Sequence, residues 1–213
     1  MQVAKYILAK DKNDKTVAYL IPKDGIKEAY VDCRINGEST LEFQMPIENE
    51  KWNEITPECK FEVYGREYII LKDDAIDTVR EGQKLFGKVM AVESWYELDT
   101  KYAEPYIDNS GMYASELSVT IVSGGSDLSG GRYTVGTAAH ALYALLQGTG
   151  WTIDAVDVIG IHDLETDKES ILSNIKKVQE IWGGLLVWDS INKTLSLRDE
   201  TWKPYNGFQI RYA

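Results

Sequence analysis

Cysteine, histidine and positive charge are all scarce in this chain. Of its 213 residues only two are cysteine and two histidine, and 23 Lys and Arg stand against 34 Asp and Glu, for a formal net charge of -11. Because nucleic-acid affinity comes chiefly from Lys and Arg that neutralise phosphates, this balance disfavours tight DNA or RNA binding. Two cysteines make no disulfide framework, so Cys33 and Cys59 are predicted to be reduced and structural.

Long apolar runs are also missing. No stretch approaches the roughly 18 apolar residues that a membrane-spanning helix needs, and the start at Met1 to Ile7 lacks the features of a secretory signal. With 44% hydrophobic and 27% charged residues, the composition is that of an ordinary soluble globular protein. The length allows one large or two small domains, and two are preferred.

Residues that could bind a metal lack the spacing that metal sites require. Asp163, Glu165 and Asp167 alternate as at the start of a calcium loop, but Lys168 stands where the loop needs glycine and Asn174 where it needs glutamate. A solvated acidic linker before a helix is therefore favoured. The cysteines and histidines have none of the short spacings by which one element supplies two zinc ligands.

Catalytic signals are weak as well. Neither His140 nor His162 lies near a Gly-x-Ser-x-Gly elbow, so both are interpreted as surface or partly buried structural residues. The glycine-serine stretch Ser123 to Gly131 has no Gly-Lys-Ser/Thr ending and is predicted to be a flexible loop. The sequence therefore predicts no catalytic residue, no cofactor and no metal site.

The first hundred residues carry strand patterns separated by turns. Turns are predicted around Asn13-Asp14, at Asn36-Gly37 in a type I′ hairpin, and at Gly65 in a second hairpin. A long strand pair is predicted around Ala75 to Arg80 and Leu85 to Leu98. These elements indicate a mostly antiparallel domain, either a small barrel or a sandwich.

The second half carries two helix-to-strand units. Thr137 is the predicted N-cap of a helix that ends at Gly148 before a strand. Thr166 and Glu169 have the spacing of a capping box, so a second helix is predicted to start there and to end at Gly183-Gly184. Two helices packed on a small sheet follow from this pattern.

Three strands are predicted beside these helices. Leu117 to Ile121 alternates and is expected to join the sheet that carries the helices. The continuous apolar run Leu185 to Trp188 predicts a strand buried on both faces. In the hairpin strand that follows, Leu195 and Leu197 are expected to face the core and Ser196 the solvent.

The order of these elements resembles a known family. A helix ending in Gly148-Thr149-Gly150-Trp151 plus strand, and a helix ending in Gly183-Gly184 before a strand and hairpin, resemble the amino-terminal hub region of phage tail proteins. This group is often called endopeptidase tail or tail-associated lysin proteins. The segment Ala91 to Tyr102, with Trp95-Tyr96-Glu97-Leu98, resembles the strand that precedes the αβ unit there. The resemblance covers most of the chain.

The resemblance implies an α+β, mainly β fold. Residues 1–105 plus 206–213 would form a β-barrel-like tube domain, and residues 106–205 an inserted two-helix α+β domain. The segment Lys101 to Gly111, which contains Pro105, marks the expected crossing. Phe208 to Tyr212 alternates like a strand and is expected to return to the first domain, and the natural polypeptide is expected to continue beyond Ala213.

The resemblance also implies a function. It predicts a non-enzymatic baseplate hub in the virion tail tip of a phage or prophage, assembled in the host bacterial cytoplasm as a homotrimeric ring. Its expected partners are a distal tail protein and other tail or tape-measure proteins. The ring would line a channel for genome ejection, through which DNA passes without specific binding, as an acidic lumen allows.

An alternative from another class stays open, a cell-wall polysaccharide-binding or peptidoglycan-hydrolase fragment. Here Trp52 or Trp202 would hold a sugar and a carboxylate pair would act in a cleft. Four further tryptophans are predicted to lie in the core: Trp95, Trp151, Trp182 and Trp188.

Overall fold

The computed structural model describes residues 2–33, 39–71, 76–103, 106–107, 119–121, 127, 129–166 and 169–202. By its internal contacts the chain divides into two units, Met1–Glu97 with Asp189–Asn192, and Leu98–Trp188 with Lys193–Ala213. Strands predominate and two α-helices occur among the described residues, which confirms the predicted mainly β, α+β class. The predicted limits at residues 105 and 206 stay predictions, and Phe208 to Tyr212 lies outside the described residues.

The first unit is built on one antiparallel sheet. Its strands are β1 Gln2–Val3, β2 Ile7–Lys10, β3 Thr16–Leu20, β4 Lys27–Asp32, β5 Thr40–Pro46, β6 Lys60–Val63, β7 Arg66–Ile69, β8 Ile76–Glu81 and β9 Lys84–Glu93. The hydrogen-bonded order is β1-β4-β5-β9-β7-β6-β2-β3, and β8 also pairs with β9. Among the described residues no pairing joins β1 to β3, so barrel-like closure stays a prediction.

The predicted turns of this sheet are confirmed where the structure describes them. In the β2–β3 turn, Asp11 Oδ1 accepts from the N–H groups of Asn13 (2.9 Å) and Lys15 (3.0 Å). Between β6 and β7, Tyr64 and Gly65 have φ values of 53° and 72°, the two positive values that a type I′ turn requires. Strands β4 and β5 pair as predicted, while Asn36-Gly37 lies outside the described residues.

One side chain cluster fills the interior of this unit. Phe43 and Phe61 meet edge to face with ring centroids 5.4 Å apart, and both are fully buried. Cys59 is buried beside them, and neither cysteine is in a disulfide. Cys33, in contrast, follows the end of β4 at Asp32 and is exposed.

The strand predicted through Leu98 ends earlier. Strand β9 stops at Glu93, and Ser94–Asp99 forms a 3-10 helix, so Trp95-Tyr96-Glu97-Leu98 is not a strand. Trp95 and Leu98 are both buried. Their three-residue spacing places them on one side of a 3-10 helix, whereas in a strand they would point to opposite faces.

The second unit combines two helices with two small sheets. Its elements are β10 Tyr106–Ile107, β11 Val119–Ile121, α1 Ala138–Leu146, β12 Thr152–Val156, β13 Leu164–Glu165, α2 Ile171–Trp182, β14 Leu185–Asp189 and β15 Thr194–Arg198. The sheets have the orders β10-β11-β13 and β12-β15-β14. The prediction that β11 joins the sheet of the helix-to-strand units is wrong, since β13 pairs with β11 and gives it a separate sheet.

The predicted helix ends are largely confirmed. Thr137 Oγ1 accepts from the His140 N–H at the start of α1 (3.3 Å), and Gly148 follows the helix with φ 71°. Gly183 ends α2 with φ 76°. A Cβ on Gly184 would fall 2.5 Å from the Arg198 carbonyl oxygen, so this position requires glycine.

The predicted start of α2 is wrong. The helix begins at Ile171 and its N-cap is Ser170, whose hydroxyl accepts from the Ser173 N–H at 3.1 Å. The same hydroxyl donates to Asp99 at 2.7 Å. A contact with a residue so distant in sequence fixes the cap, and the local capping-box spacing of Thr166 and Glu169 could not reveal it.

Two burial predictions for the β12-β15-β14 sheet are also wrong. Strand β15 lies in the middle, so Ser196 is buried like its neighbours, and its hydroxyl donates to Asp154 Oδ2 at 2.9 Å. Strand β14 lies at an edge of the described sheet, and Leu185 to Trp188 is half-buried instead of buried on both faces. Strand order decides burial here, and the residue pattern alone does not contain it.

Candidate functional site

The two histidines have packing roles. His140 lies in α1 and is fully buried, where the sequence predicted a surface or partly buried residue, and its Nε2 is 3.9 Å from Asp127 Oδ1. Hydrogen bonds from the hydroxyl and N–H of Ser129, with a smaller effect of the Gly131 N–H, hold the pKa of Asp127 below its ordinary value. His140 is therefore a core residue whose ring lies near the Asp127 carboxylate.

His162 is exposed in a loop, as predicted, and it organises that loop. Its ring meets Trp182 edge to face with centroids 5.4 Å apart. Its backbone N–H donates to the Gly136 carbonyl at 2.9 Å. The Trp182 indole N–H donates to the Gly160 carbonyl at 3.2 Å. Residues 158–162, called the isoleucine loop below, are thus fixed to α2 and to the segment before α1.

The isoleucine loop displays apolar side chains to solvent. Ile159 is 94% exposed and Ile161 58% exposed, the two highest values among the large hydrophobic residues described. Val158 packs against Gly184, where an added Cβ would fall 2.7 Å from Val158 Cγ1. A well-held loop with outward isoleucines is typical of a surface that a protein partner covers.

An aromatic cleft of about 350 Å³ lies in the same unit, between α1, the segment before it and the start of β12. It is lined by Arg132, Tyr133, Tyr143, Leu146, Gln147, Gly150, Trp151, Thr152 and Ile153. The rings of Tyr133 and Tyr143 are 5.4 Å apart, and the Arg132 guanidinium lies 5.4 Å from the centroid of the Tyr133 ring. The aromatic cleft therefore combines apolar walls with one positive charge.

The first unit has a smaller cleft of about 200 Å³. Its lining includes Ala4 and Ala29 from one end of the sheet order and Ile7 and Leu20 from the other. Both ends of the open strand order therefore flank the same space.

Charged side chains pair across the outer face of this sheet. Lys10 Nζ lies 2.7 Å from Glu62, and Lys88 pairs with Glu42. The hydrogen bond to Glu62 raises the pKa of Lys10 above the ordinary lysine value, and the hydrogen bond to Glu42 does the same for Lys88. These pairs keep this face of the sheet polar.

The tryptophans divide between core and half-buried positions. Trp95, Trp151 and Trp182 are buried as predicted, but Trp188 is half-buried and meets Trp151 edge to face. Trp52 is half-buried with its ring against Gly87, where an added Cβ would fall 2.1 Å from the indole. Trp202 is half-buried with the Arg198 guanidinium 5.8 Å from its ring.

The acidic run before α2 is spread out. Asp163 and Glu165 are exposed, Glu165 lies in β13, and Asp167 falls outside the described residues. Within the described ranges no group of three or more His, Cys, Asp or Glu side chains lies close enough to share a metal ion. In the same part of the chain, no helix has the length and hydrophobicity needed to cross a membrane.

Residues 132–197 match the family model of the prophage endopeptidase tail domain. The matched segment contains both helices, the aromatic cleft and the isoleucine loop. The resemblance to prophage tail proteins predicted from the sequence is therefore confirmed by the match over these residues. No curated protein sequence matches the chain.

A solved structure of a prophage tail protein shares the fold of this chain. The prophage tail protein gp18 from Listeria monocytogenes matches 91% of this chain with a TM-score of 0.56 and 13% identity, which shows a common fold. A tail protein from Neisseria meningitidis matches 96% of the chain at 11% identity with a TM-score of 0.49. The chain spans 50% and 49% of the lengths of these two proteins. The family match over residues 132–197 supports a role in a phage tail, and the likeness to the Listeria protein shows the fold.

Proposed function

We propose that this chain is a structural subunit of a phage or prophage tail tip, a baseplate hub whose copies form a trimeric ring between the tail tube and the tip. The observation that carries the proposal is the match of residues 132–197 to the prophage endopeptidase tail domain. The fold shared with a prophage tail protein across most of the chain supports it.

In this proposal the first unit belongs to the tube domain of the hub. Residues 1–105 plus 206–213 would form a barrel-like domain, with residues 106–205 inserted into it. The cleft flanked by Ala4, Ala29, Ile7 and Leu20 supports closure, because it brings the two ends of the strand order to one place. Phe208 to Tyr212 would add the returning strand.

The charge of the chain suits a channel for DNA. A net charge of -11 disfavours retention of phosphates, so DNA would pass without specific binding during genome ejection. The remaining partners in this proposal are a distal tail protein and other tail or tape-measure proteins. The protein would assemble in the host cytoplasm and reside in the virion tail tip.

The proposed role is non-enzymatic. The histidines are the side chains whose ordinary pKa suits acid-base catalysis near neutral pH, and both are engaged in packing. His140 is fully buried in α1, and the ring of His162 lies against Trp182. These engagements support a structural role for the matched domain, although its family carries the word endopeptidase in its description.

The test is removal of the gene from the prophage that carries it, followed by electron microscopy of induced particles. We expect tails without a complete tip, restored when the wild-type gene is supplied in trans. A tagged copy should be present in purified tails at three copies per tip. Complete tips in the deletion strain would overturn the proposal.

A polysaccharide-binding or peptidoglycan-hydrolase role is the second candidate. Trp202 is the residue that keeps it open, since its ring is only half-buried, whereas Trp52 is packed on Gly87. Pelleting with purified peptidoglycan and a turnover assay decide between the two. Binding lost in Trp202→Ala, or release of muropeptides, would favour the second candidate.

A further inference from the structure

One unit carries both the outward isoleucine loop and the recessed aromatic cleft. Thr152 and Ile153 at the start of β12 line the cleft, and the loop begins two residues after Val156, which ends that strand. A single copy offers an apolar projection at one end of β12 and an apolar recess at the other. Surfaces of this kind fit a contact in which successive copies meet head to tail.

We propose that the isoleucine loop of one copy of this chain inserts into the aromatic cleft of the next. This inference rests on the proposed ring and names the contact between its subunits. A head-to-tail contact uses two different patches of each copy and closes when the rotation between copies returns to the start.

Size and preorganisation favour this occupant. The cleft of about 350 Å³ falls within the range of about 300 to 1,000 Å³ that recessed binding sites occupy, so it has room for aliphatic side chains. The loop is already held in place by the Trp182 and His162 contacts. Its ordering therefore adds little entropic cost on binding.

Charge points to a second copy as the partner. Arg132 is exposed at the cleft, while the isoleucine loop lies between Asp157 and Asp163, which are both exposed, and Asp157 also pairs with Arg198 at 3.2 Å. Placing the loop in the cleft of a neighbour brings these acidic residues towards Arg132. Complementary charges at the rim of an apolar contact favour the correct register between partners.

Two substitutions test the contact, one in the isoleucine loop and one in the aromatic cleft. Ile159→Asp removes the projection and leaves the cleft intact, and it should not affect folding because the side chain is 94% exposed. Arg132→Glu reverses the charge at the cleft and leaves the loop intact. Matched controls are Met90→Asp, at a residue 41% exposed in the first unit, and Lys176→Glu on the exposed side of α2.

Particle mass is measured by sedimentation velocity for the full chain, alone and in mixtures. We expect wild type and both controls to associate, and Ile159→Asp and Arg132→Glu each to be at least tenfold weaker. An equimolar mixture of the two weakened variants should form heterodimers, because the intact loop of Arg132→Glu can enter the intact cleft of Ile159→Asp. These heterodimers should grow no further, because the loop and the cleft that remain unused are the altered ones. A loop-to-loop contact would give no such heterodimer.

Three results would overturn the inference. Undiminished association of Ile159→Asp would exclude the loop, and undiminished association of Arg132→Glu would exclude the cleft, while the proposed ring would stand. A wild-type chain that stays monomeric would exclude the contact between copies. In that last case the ring fails together with the contact, while the deletion experiment on tails still decides whether the chain is part of the tail tip, so the two failures are distinguishable.

Discussion

The two units of this protein manage exposed apolar surface in opposite ways. In the first unit the outer face of the sheet carries cross-strand ion pairs such as Lys10 with Glu62, and its large buried residues form one cluster. In the second unit a loop fixed by Trp182 exposes Ile159 and Ile161. The difference teaches that the first unit covers its surface with paired charges, whereas the second holds apolar side chains at the surface, where the proposed contact between copies would cover them.

The largest expected effects come from cavities in the two cores. Phe43→Ala in the first unit should cost about 3 to 5 kcal/mol, and Leu145→Ala or Ile175→Ala in the second about 2 to 5 kcal/mol, because each removes a fully buried side chain. Urea unfolding followed by circular dichroism and tryptophan fluorescence measures these losses. If either helix variant were neutral, the assignment of the helix faces would be wrong.

The packing of Trp52 on Gly87 can be tested in the first unit. In Gly87→Ala the added methyl group would overlap the indole, so Trp52 must leave its position, at a cost of about 1 to 3 kcal/mol. The control is the same change in a Trp52→Ala background, where it should be nearly neutral. Equal costs in both backgrounds, measured by thermal unfolding, would show that Trp52 does not pack there.

The start of α2 provides a smaller test in the second unit. Ser170→Ala removes the acceptor for the Ser173 N–H and should cost about 1 kcal/mol. Glu169→Ala changes the exposed neighbour that the sequence pattern had placed in a capping box, and we expect less than about 0.5 kcal/mol. Urea midpoints compare the two, and a larger loss for Glu169→Ala would restore the capping-box prediction.

The smallest effect concerns acid stability of the first unit. Burial by itself would raise the pKa of Asp24, but hydrogen bonds from Lys51 and from the Ile21 N–H outweigh it and lower that pKa. The resulting stability is present above the ordinary aspartate pKa, about 3.9, and is lost as the pH falls through the lowered value. Between neutral pH and about pH 3, Lys51→Met should therefore lose less unfolding free energy than wild type loses. The difference between the two losses should be less than about 1 kcal/mol. Urea midpoints at both pH values check this, and an equal or larger loss in Lys51→Met would contradict it.

Features that depend on neighbouring residues could be predicted from the sequence. The helix ends at Gly148 and Gly183 and the turn at Gly65 follow from backbone conformations that glycine adopts at little cost, and all three have positive φ. The Thr137 cap follows from a single local hydrogen bond. These signals need no knowledge of the tertiary structure.

Features set by distant contacts could not be predicted in this way. The Ser170 hydroxyl that caps α2 also donates to the distant Asp99, and the burial of Ser196 depends on the central position of β15. The candidate site was missed for the same reason. The run from Val158 to Ile161 is visibly apolar between two aspartates, but only the contacts with Trp182 and Gly136 show that it is held outward.

The central claim is that copies of this chain form a closed ring, and particle mass in solution tests it most directly. Sedimentation equilibrium of the wild-type chain over a wide concentration range should give a species of three times the chain mass of 24.1 kDa, with no larger species accumulating. Closure predicts that plateau. A chain that stays monomeric at the highest concentration, or that grows without limit, would contradict the account.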